Sequence, residues 1–100
     1  MELTNLPLLT IIAESVLRER LIEELHAAGC KGYTLTEVTG DGSRHIRSGD
    51  LPGDNIRLET ITTPQHAEQL LQRLATAYFP DYAIIAFVSE VRVVRGSKYV

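Results

Sequence analysis

Two stretches of this chain repeat apolar residues at helical spacing, and each is bracketed by runs of strand formers. In the first stretch Leu17, Leu21, Leu25 and Ala28 recur about every four residues, and Val16 and Ile22 widen the stripe. In the second, Ala67, Leu70, Leu71, Leu74, Ala75 and Tyr78 make the apolar face. Glu14 or Ser15 caps the first helix, and Gly29 supplies its left-handed stop. Thr63 caps the second, Pro64 takes its first position, and Pro80 ends it. Residues 8–13 form an apolar, β-branched run, and residues 32–38 and 55–62 alternate as strands do. Residues 82–88 give a final strand, which residues 91–94 extend or follow with a further short one.

The predicted order is β-α-β-β-α-β. With right-handed crossovers it gives an α+β, ferredoxin-like arrangement: an antiparallel four-stranded sheet with both helices on one face. At 100 residues the chain is one domain, residues 1–100. The last strand adds a constraint. Ala83, Ile85 and Phe87 point to one side, Ile84, Ala86 and Val88 to the other, and both sets are apolar. Helices on one face leave the second set facing water. A patch of that kind normally marks an interface, so further copies of the chain are expected to cover the open face.

Residues 40–54 hold four glycines, one proline, two arginines and no aromatic. That is too long for a simple hairpin, and loops of this length tend to be functional. Gly40 and Gly42 let successive backbone N–H groups converge on an anion. Ser43 adds a hydroxyl, and Arg44 and Arg47 add planar forks suited to phosphate oxygens. No Gly-x-x-x-x-Gly-Lys-Ser/Thr run is present, so this is not a P-loop. A second basic group, Arg92, Arg95 and Lys98 with Gly96, lies near the end. It is either a solvated fringe or, if the two clusters meet across a subunit boundary, half of a phosphate pocket.

Composition narrows the function classes. Net charge is -3, Trp is absent, and aromatics make 6% of the chain. A whole-domain basic field is excluded. RNA-recognition domains stack bases on aromatics of their central strands, and the corresponding strands here carry none, so no nucleic acid is expected. Cys30 is the single cysteine; an intramolecular disulfide is impossible, and it reads as a small apolar filler. His26 and His66 stand on separate helices and His45 lies in the long loop, with no metal-ligand spacing. No Ser/His/Asp grouping with an elbow glycine pattern appears. No catalytic residue, metal or cofactor is therefore expected. No run approaches the ~20 apolar residues of a membrane span, and the first residues lack a positive n-region, so a cytoplasmic location is expected.

Residues 29–44 read Gly-Cys-Lys-Gly-Tyr-Thr-Leu-Thr-Glu-Val-Thr-Gly-Asp-Gly-Ser-Arg. They resemble the Gly-x-x-Gly-x-Thr-x-x-Glu-Val-x-Gly-x-Gly run of the PII signal-transduction family. Residues 91–96, Val-Arg-Val-Val-Arg-Gly, are similar to its closing segment with slightly different spacing. Residues 42–48 and 78–83 resemble the PII-like branch linked to inorganic carbon. That branch includes the regulator of the cyanobacterial sodium-bicarbonate transporter and the carboxysome-associated PII proteins. The similarity spans residues 8–98.

The resemblance implies a homotrimer with an adenine nucleotide in each of three intersubunit clefts. Residues 40–54 would be the T-loop, which reshapes on binding and docks on a partner. By carry-over, Gly40, Gly42, Ser43, Arg44 and Arg47 would hold the ligand, and Arg95 and Gly96 would approach the same cleft. Nitrogen-sensing PII proteins carry a modifiable T-loop tyrosine, and residues 40–54 contain none. Their glycine-rich loop before the last strand is replaced here by Phe79, Pro80 and Asp81. AMP, cyclic AMP or ADP is therefore expected over magnesium-ATP with 2-oxoglutarate. Some carbon-linked relatives end in a cysteine-bearing redox extension; no cysteine follows Lys98, so redox control is not expected. The expected activity is that of a non-enzymatic sensor. Its expected partner is a bicarbonate transporter at the inner membrane, with bicarbonate as a further ligand. Slow nucleotide hydrolysis, with Glu14 or Glu37 orienting water, and nitrogen regulation are the alternatives.

Overall fold

The computed structural model describes residues 1–40 and 54–100. Strand β1 (Thr4–Glu14) leads through a 3-10 turn, Ser15–Leu17, into helix α1 (Arg18–Ala27). Strands β2 (Thr34–Val38) and β3 (Asn55–Ile61) follow, then helix α2 (Pro64–Ala77) and strand β4 (Ile85–Val93). A second 3-10 turn, Gly96–Lys98, closes the chain. The sheet order is β2-β3-β1-β4, and each neighbouring pair is antiparallel. This is the expected ferredoxin-like layout.

One sheet face carries the core. Leu9, Ile11 and Ala13 of β1 and Ile56 and Leu58 of β3 pack against Leu17, Leu21, Leu25, Leu70, Leu74 and Tyr78. Cys30 is buried in the same cluster, as an apolar filler would be; burial pushes its thiol up, against the opposing hydrogen bonds of Thr62 and Thr60. Gly29 ends α1 at φ +96°, the left-handed stop the sequence predicts. Thr63 accepts the His66 N–H at 3.1 Å, with Pro64 in the first helical position. Two members of the expected stripes face water instead: Val16, in the 3-10 turn before α1, and Ala75. The tighter turn at residues 15–17 rotates Val16 off the stripe that begins at Leu17.

β1 is longer than its apolar run suggests, because it continues back through Pro7. Pro7 pairs with Glu90 of β4, and its carbonyl accepts the Thr62 N–H at 3.2 Å. In an antiparallel strand the N–H and C=O of one residue point the same way. The missing proline donor thus falls on the β3 side, where that ladder is ending, and costs the β4 ladder nothing. β4 begins later than expected, at Ile85 rather than Tyr82. The Asp81 and Tyr82 N–H groups both donate to the Tyr78 carbonyl, at 3.0 and 2.9 Å, so this segment is wound into a turn.

Arg20 and Glu24 are four residues apart on α1, yet each reaches away from that helix. Arg20 Nη1 donates to the Tyr82 hydroxyl at 3.0 Å, and its guanidinium lies 5.0 Å from the Tyr78 ring centroid. Glu24 accepts from Arg73 Nε at 3.1 Å and from the Tyr78 hydroxyl at 2.9 Å. These contacts tie α1 to α2 and to the turn before β4.

The opposite sheet face has no helix over it. Ile85 and Phe87 project there, 55% and 42% exposed, while Ile84 and Ala86 pack toward the core. Thr10 sits between Phe87 and Glu59 on this face, fully buried by its neighbours. Its hydroxyl has no hydrogen-bond partner among the described residues. Thr10→Val, which swaps the hydroxyl for a methyl of similar size, is expected to stabilise the fold by about 1 kcal/mol. For a domain of this size that is roughly 4–8 °C in melting temperature. Calorimetry of the two proteins checks this; a lower melting temperature in the variant would mean that the hydroxyl gains a partner on assembly.

Candidate functional site

A cleft of about 500 Å³ opens on the uncovered side of the sheet, at the end where β2 begins and β3 finishes. Its floor follows from the strand register. Thr34 stands opposite Glu59 and Leu8 opposite Ile61, and all four side chains share the open face. One wall is the entry to β2, with Lys31, Gly32 and Tyr33; the other is Lys98 and Tyr99.

Each wall is held in place. Thr60 Oγ1 donates to the Gly32 carbonyl at 2.6 Å, tying the β2 entry to β3. Tyr33 contacts His26 of α1, with ring centroids 6.3 Å apart and planes tilted by 54°. On the far side the chain leaves β4 and turns at Arg95, which adopts the left-handed conformation (φ 59°, ψ 48°). Gly96 then packs so closely on Thr4 that a Cβ there would lie 2.5 Å from Thr4 Oγ1. The Lys98 and Tyr99 N–H groups donate to the Arg95 and Gly96 carbonyls at 2.9 and 3.1 Å, which closes the turn and delivers both side chains to the cleft.

The chemistry of the lining is definite. Two tyrosines and the apolar Leu8 and Ile61 suit a flat, partly apolar ligand. Lys31 and Lys98 supply positive charge at both walls. The Glu59 carboxylate accepts from Arg57 Nε at 3.2 Å, which offsets the cleft's one negative charge. A planar anion is the complementary guest.

The expected site residues fall in three places. Gly40 is exposed, beyond the end of β2. Gly42, Ser43, Arg44 and Arg47 lie outside the described residues. Arg95 is exposed, and neither it nor Gly96 is among the cleft residues; they shape the turn that brings Lys98 and Tyr99 in. Gly96 packs beside Thr4, whereas Gly40 follows the end of β2 at which Val38 pairs with Asn55 and Asn55 with Glu14. Thr4 and Glu14 are the two ends of β1, roughly 30 Å apart at strand rise. Gly40 and Gly96 therefore lie toward opposite ends of the sheet within one subunit.

Tyr33, Glu59, Lys31 and Tyr99 carried no cue in the sequence, because the strand register and the terminal turn assemble them. Among the described residues no group of three His, Cys, Asp or Glu side chains could hold a metal ion, and no helix is long and apolar enough to cross a membrane.

Comparison with known proteins follows the same lines. Residues 6–98 match the family model described as nitrogen regulatory protein P-II. The crystal structure of a candidate PII-like signaling protein from Thermus thermophilus is 57% identical, covers 100% of both chains and superposes with a TM-score of 0.86. CPII from Thiomonas intermedia, solved bound to ADP and bicarbonate, is 28% identical over 99% of this chain and 98% of that one, with a TM-score of 0.88. The same protein bound to ADP, AMP and acetate is 27% identical over 99% and 98% of the two chains, with a TM-score of 0.87.

Proposed function

This chain belongs to the PII family, and from that premise we propose that it is an adenine-nucleotide sensor working as a homotrimer. It is a PII-like signalling protein; the finer reading concerns ligand, assembly and output. In the trimer the open sheet faces pack together, covering Ile85 and Phe87. The cleft of one subunit is completed by Gly40, Gly42, Ser43, Arg44 and Arg47 from the T-loop of the next. The supporting observation is the cleft with a lysine and a tyrosine on each wall, set on the same uncovered sheet face that exposes Ile85 and Phe87. The nucleotide is AMP, cyclic AMP or ADP, in keeping with the ADP and AMP bound by CPII. Bicarbonate is the second ligand, as in the ADP–bicarbonate complex of that relative.

Binding orders residues 40–54 through charge-assisted hydrogen bonds from Arg44 and Arg47, and the reshaped loop fits or rejects a partner. The switch is as strong as the nucleotide's differential affinity for the two loop states. A membrane bicarbonate transporter as that partner, and any link to a carboxysome, rest on the family resemblance alone. The output is regulatory rather than enzymatic.

Calorimetric titration with AMP, cyclic AMP, ADP and ATP, with and without bicarbonate, tests the assignment. A charge-assisted bond is worth roughly 1.5–3 kcal/mol, so Arg47→Ala is expected to weaken nucleotide binding about ten- to a hundredfold. Equal affinity in the variant would remove Arg47 from the site. Release of phosphate from ATP and magnesium would instead favour the hydrolytic alternative.

A further inference from the structure

We propose that His66, Thr62, Cys30 and Thr60 form a chain of positioning residues for the cleft, in which a proton held at His66 Nδ1 steadies the wall at Gly32 and so tightens nucleotide binding. This inference rests on the nucleotide reading and adds the proton as a second input to the same site.

The wall needs such a support. The β2–β3 ladder begins only at Thr34, so Lys31, Gly32 and Tyr33 precede it. Nothing lies within 4 Å of the space that a Cβ on Gly32 would fill, and glycine backbone is conformationally free. The Thr60 hydroxyl, 2.6 Å from the Gly32 carbonyl, holds this stretch to the sheet. A carbonyl only accepts, so Thr60 gives its single proton there, and its oxygen is left to accept. The Cys30 thiol, kept protonated by burial, hydrogen-bonds with both Thr60 and Thr62. Thr62 Oγ1 in turn lies 3.1 Å from His66 Nδ1. Cys30, Thr60 and Thr62 are all buried, and His66, at the outer end, is half-buried. The imidazole is fixed in place, because it packs on Gly29 so closely that a Cβ there would lie 2.8 Å from Nε2.

Counting protons gives the chain two states. A protonated ring can only donate at Nδ1. Each member then gives one proton to the next, from His66 through Thr62, Cys30 and Thr60 to the Gly32 carbonyl. A neutral ring that accepts at Nδ1 takes the Thr62 proton. The single Cys30 proton then serves Thr60 or Thr62 but not both, and the chain breaks on one side of the sulfur. Hydrogen bonds in an unbroken chain strengthen one another, so the protonated state holds Gly32 more firmly. The groups set against the ring are the Gly29 backbone, the Thr62 hydroxyl and, through it, the Cys30 thiol. Among the described residues no ion pair reaches it.

ADP is titrated into each protein at about pH 8 and about pH 5.5, the range over which histidine changes charge. Titration of the nucleotide and of Glu59 is common to all the proteins and cancels in the comparison. Between the two pH values wild type is expected to gain about threefold or more in affinity over Cys30→Ala, the net worth of one hydrogen bond. Cys30→Ser, which restores a donor and an acceptor, is expected to regain that difference. His66→Asn, whose amide can donate from the Nδ1 position at every pH, is expected to lose the pH dependence but keep tight binding. Thr60→Val is expected to weaken ADP about tenfold at both pH values, and Thr60→Ser to restore it. Equal pH dependence in wild type and Cys30→Ala overturns the chain while the nucleotide reading stands. NMR of the ligand-free protein decides the chain independently. The Lys31 and Tyr33 amide shifts are expected to titrate with the His66 ring in wild type and not in Cys30→Ala; shifts indifferent to His66 sink the proposal. If wild type binds no adenosine phosphate at all, the nucleotide reading falls, and the claim of tighter binding falls with it.

Discussion

Phe87→Glu is expected to convert the proposed trimer to single folded subunits. Phe87 projects from β4 on the uncovered sheet face, 42% exposed within one subunit, and the proposed assembly buries that remainder. Losing the partial burial costs about 1 kcal/mol per subunit. Placing a carboxylate in an apolar interface costs several kcal/mol more per copy. Each new charge also lies only one strand removed from Glu59, across Thr10. Three such sites per assembly weaken association by more than a thousandfold. The variant is expected to elute at its subunit mass of 11.1 kDa with unchanged circular dichroism, because the helices pack on the other face. It is also expected to lose ADP binding, since the T-loop of a neighbour no longer reaches the cleft. A variant that stays trimeric would show that the open face is not where the subunits meet.

The second large effect concerns Glu24. Burial pushes its carboxyl upward, but hydrogen bonds from Arg73 and Tyr78, together with the charges of Arg73 and Arg20, outweigh this and hold it below the ordinary carboxylate value. Glu24→Ala strands the hydroxyl of Tyr78, a residue only 2% exposed, and is expected to cost about 2 kcal/mol. Because the carboxyl is depressed in the folded state, its stabilisation is fully present above the unfolded value and is lost as pH falls through the folded one. Glu24→Gln keeps the size and an acceptor for Tyr78 but carries no charge. Urea melts at one protein concentration should show wild type more stable than Glu24→Gln at pH 7, with the gap closing toward pH 3. A gap independent of pH would mean that shape, not charge, accounts for the difference.

The fold was largely legible because each apolar stripe admits one solution. Leu17, Leu21 and Leu25, and Leu70 and Leu74, are buried as their spacing requires. The alternation in β4 correctly signalled an apolar set facing water but assigned Ile84, Ala86 and Val88 to it; the register puts Ile85 and Phe87 on the open face instead, and Ile84 and Ala86 pack against the core. The errors have physical causes. The strand expected over residues 8–13 stops short of Pro7, and only the register shows the missing proline donor falling at a ladder's end. Tyr82 has a strand former's side chain, but its backbone is claimed by Tyr78 and its hydroxyl by Arg20. The site was less legible than the fold. Glycines and arginines announce an anion, but Tyr33, Glu59 and Tyr99 meet through pairings far apart in the chain. No local pattern signals that a non-glycine residue such as Arg95 will turn left-handed.

The junction between β2 and β3 bears on how such a signalling protein diversifies. Val38 and Asn55 are partners in the ladder, and the Asp54 carbonyl accepts the Ser15 N–H at 2.7 Å. The sheet therefore clasps the two ends of the intervening segment whatever that segment contains. Doubling the length of such an insert costs only about 0.6 kcal/mol in closure entropy. The framework thus works as a socket, in which new recognition sequences can be exchanged while the scaffold beneath them is left intact.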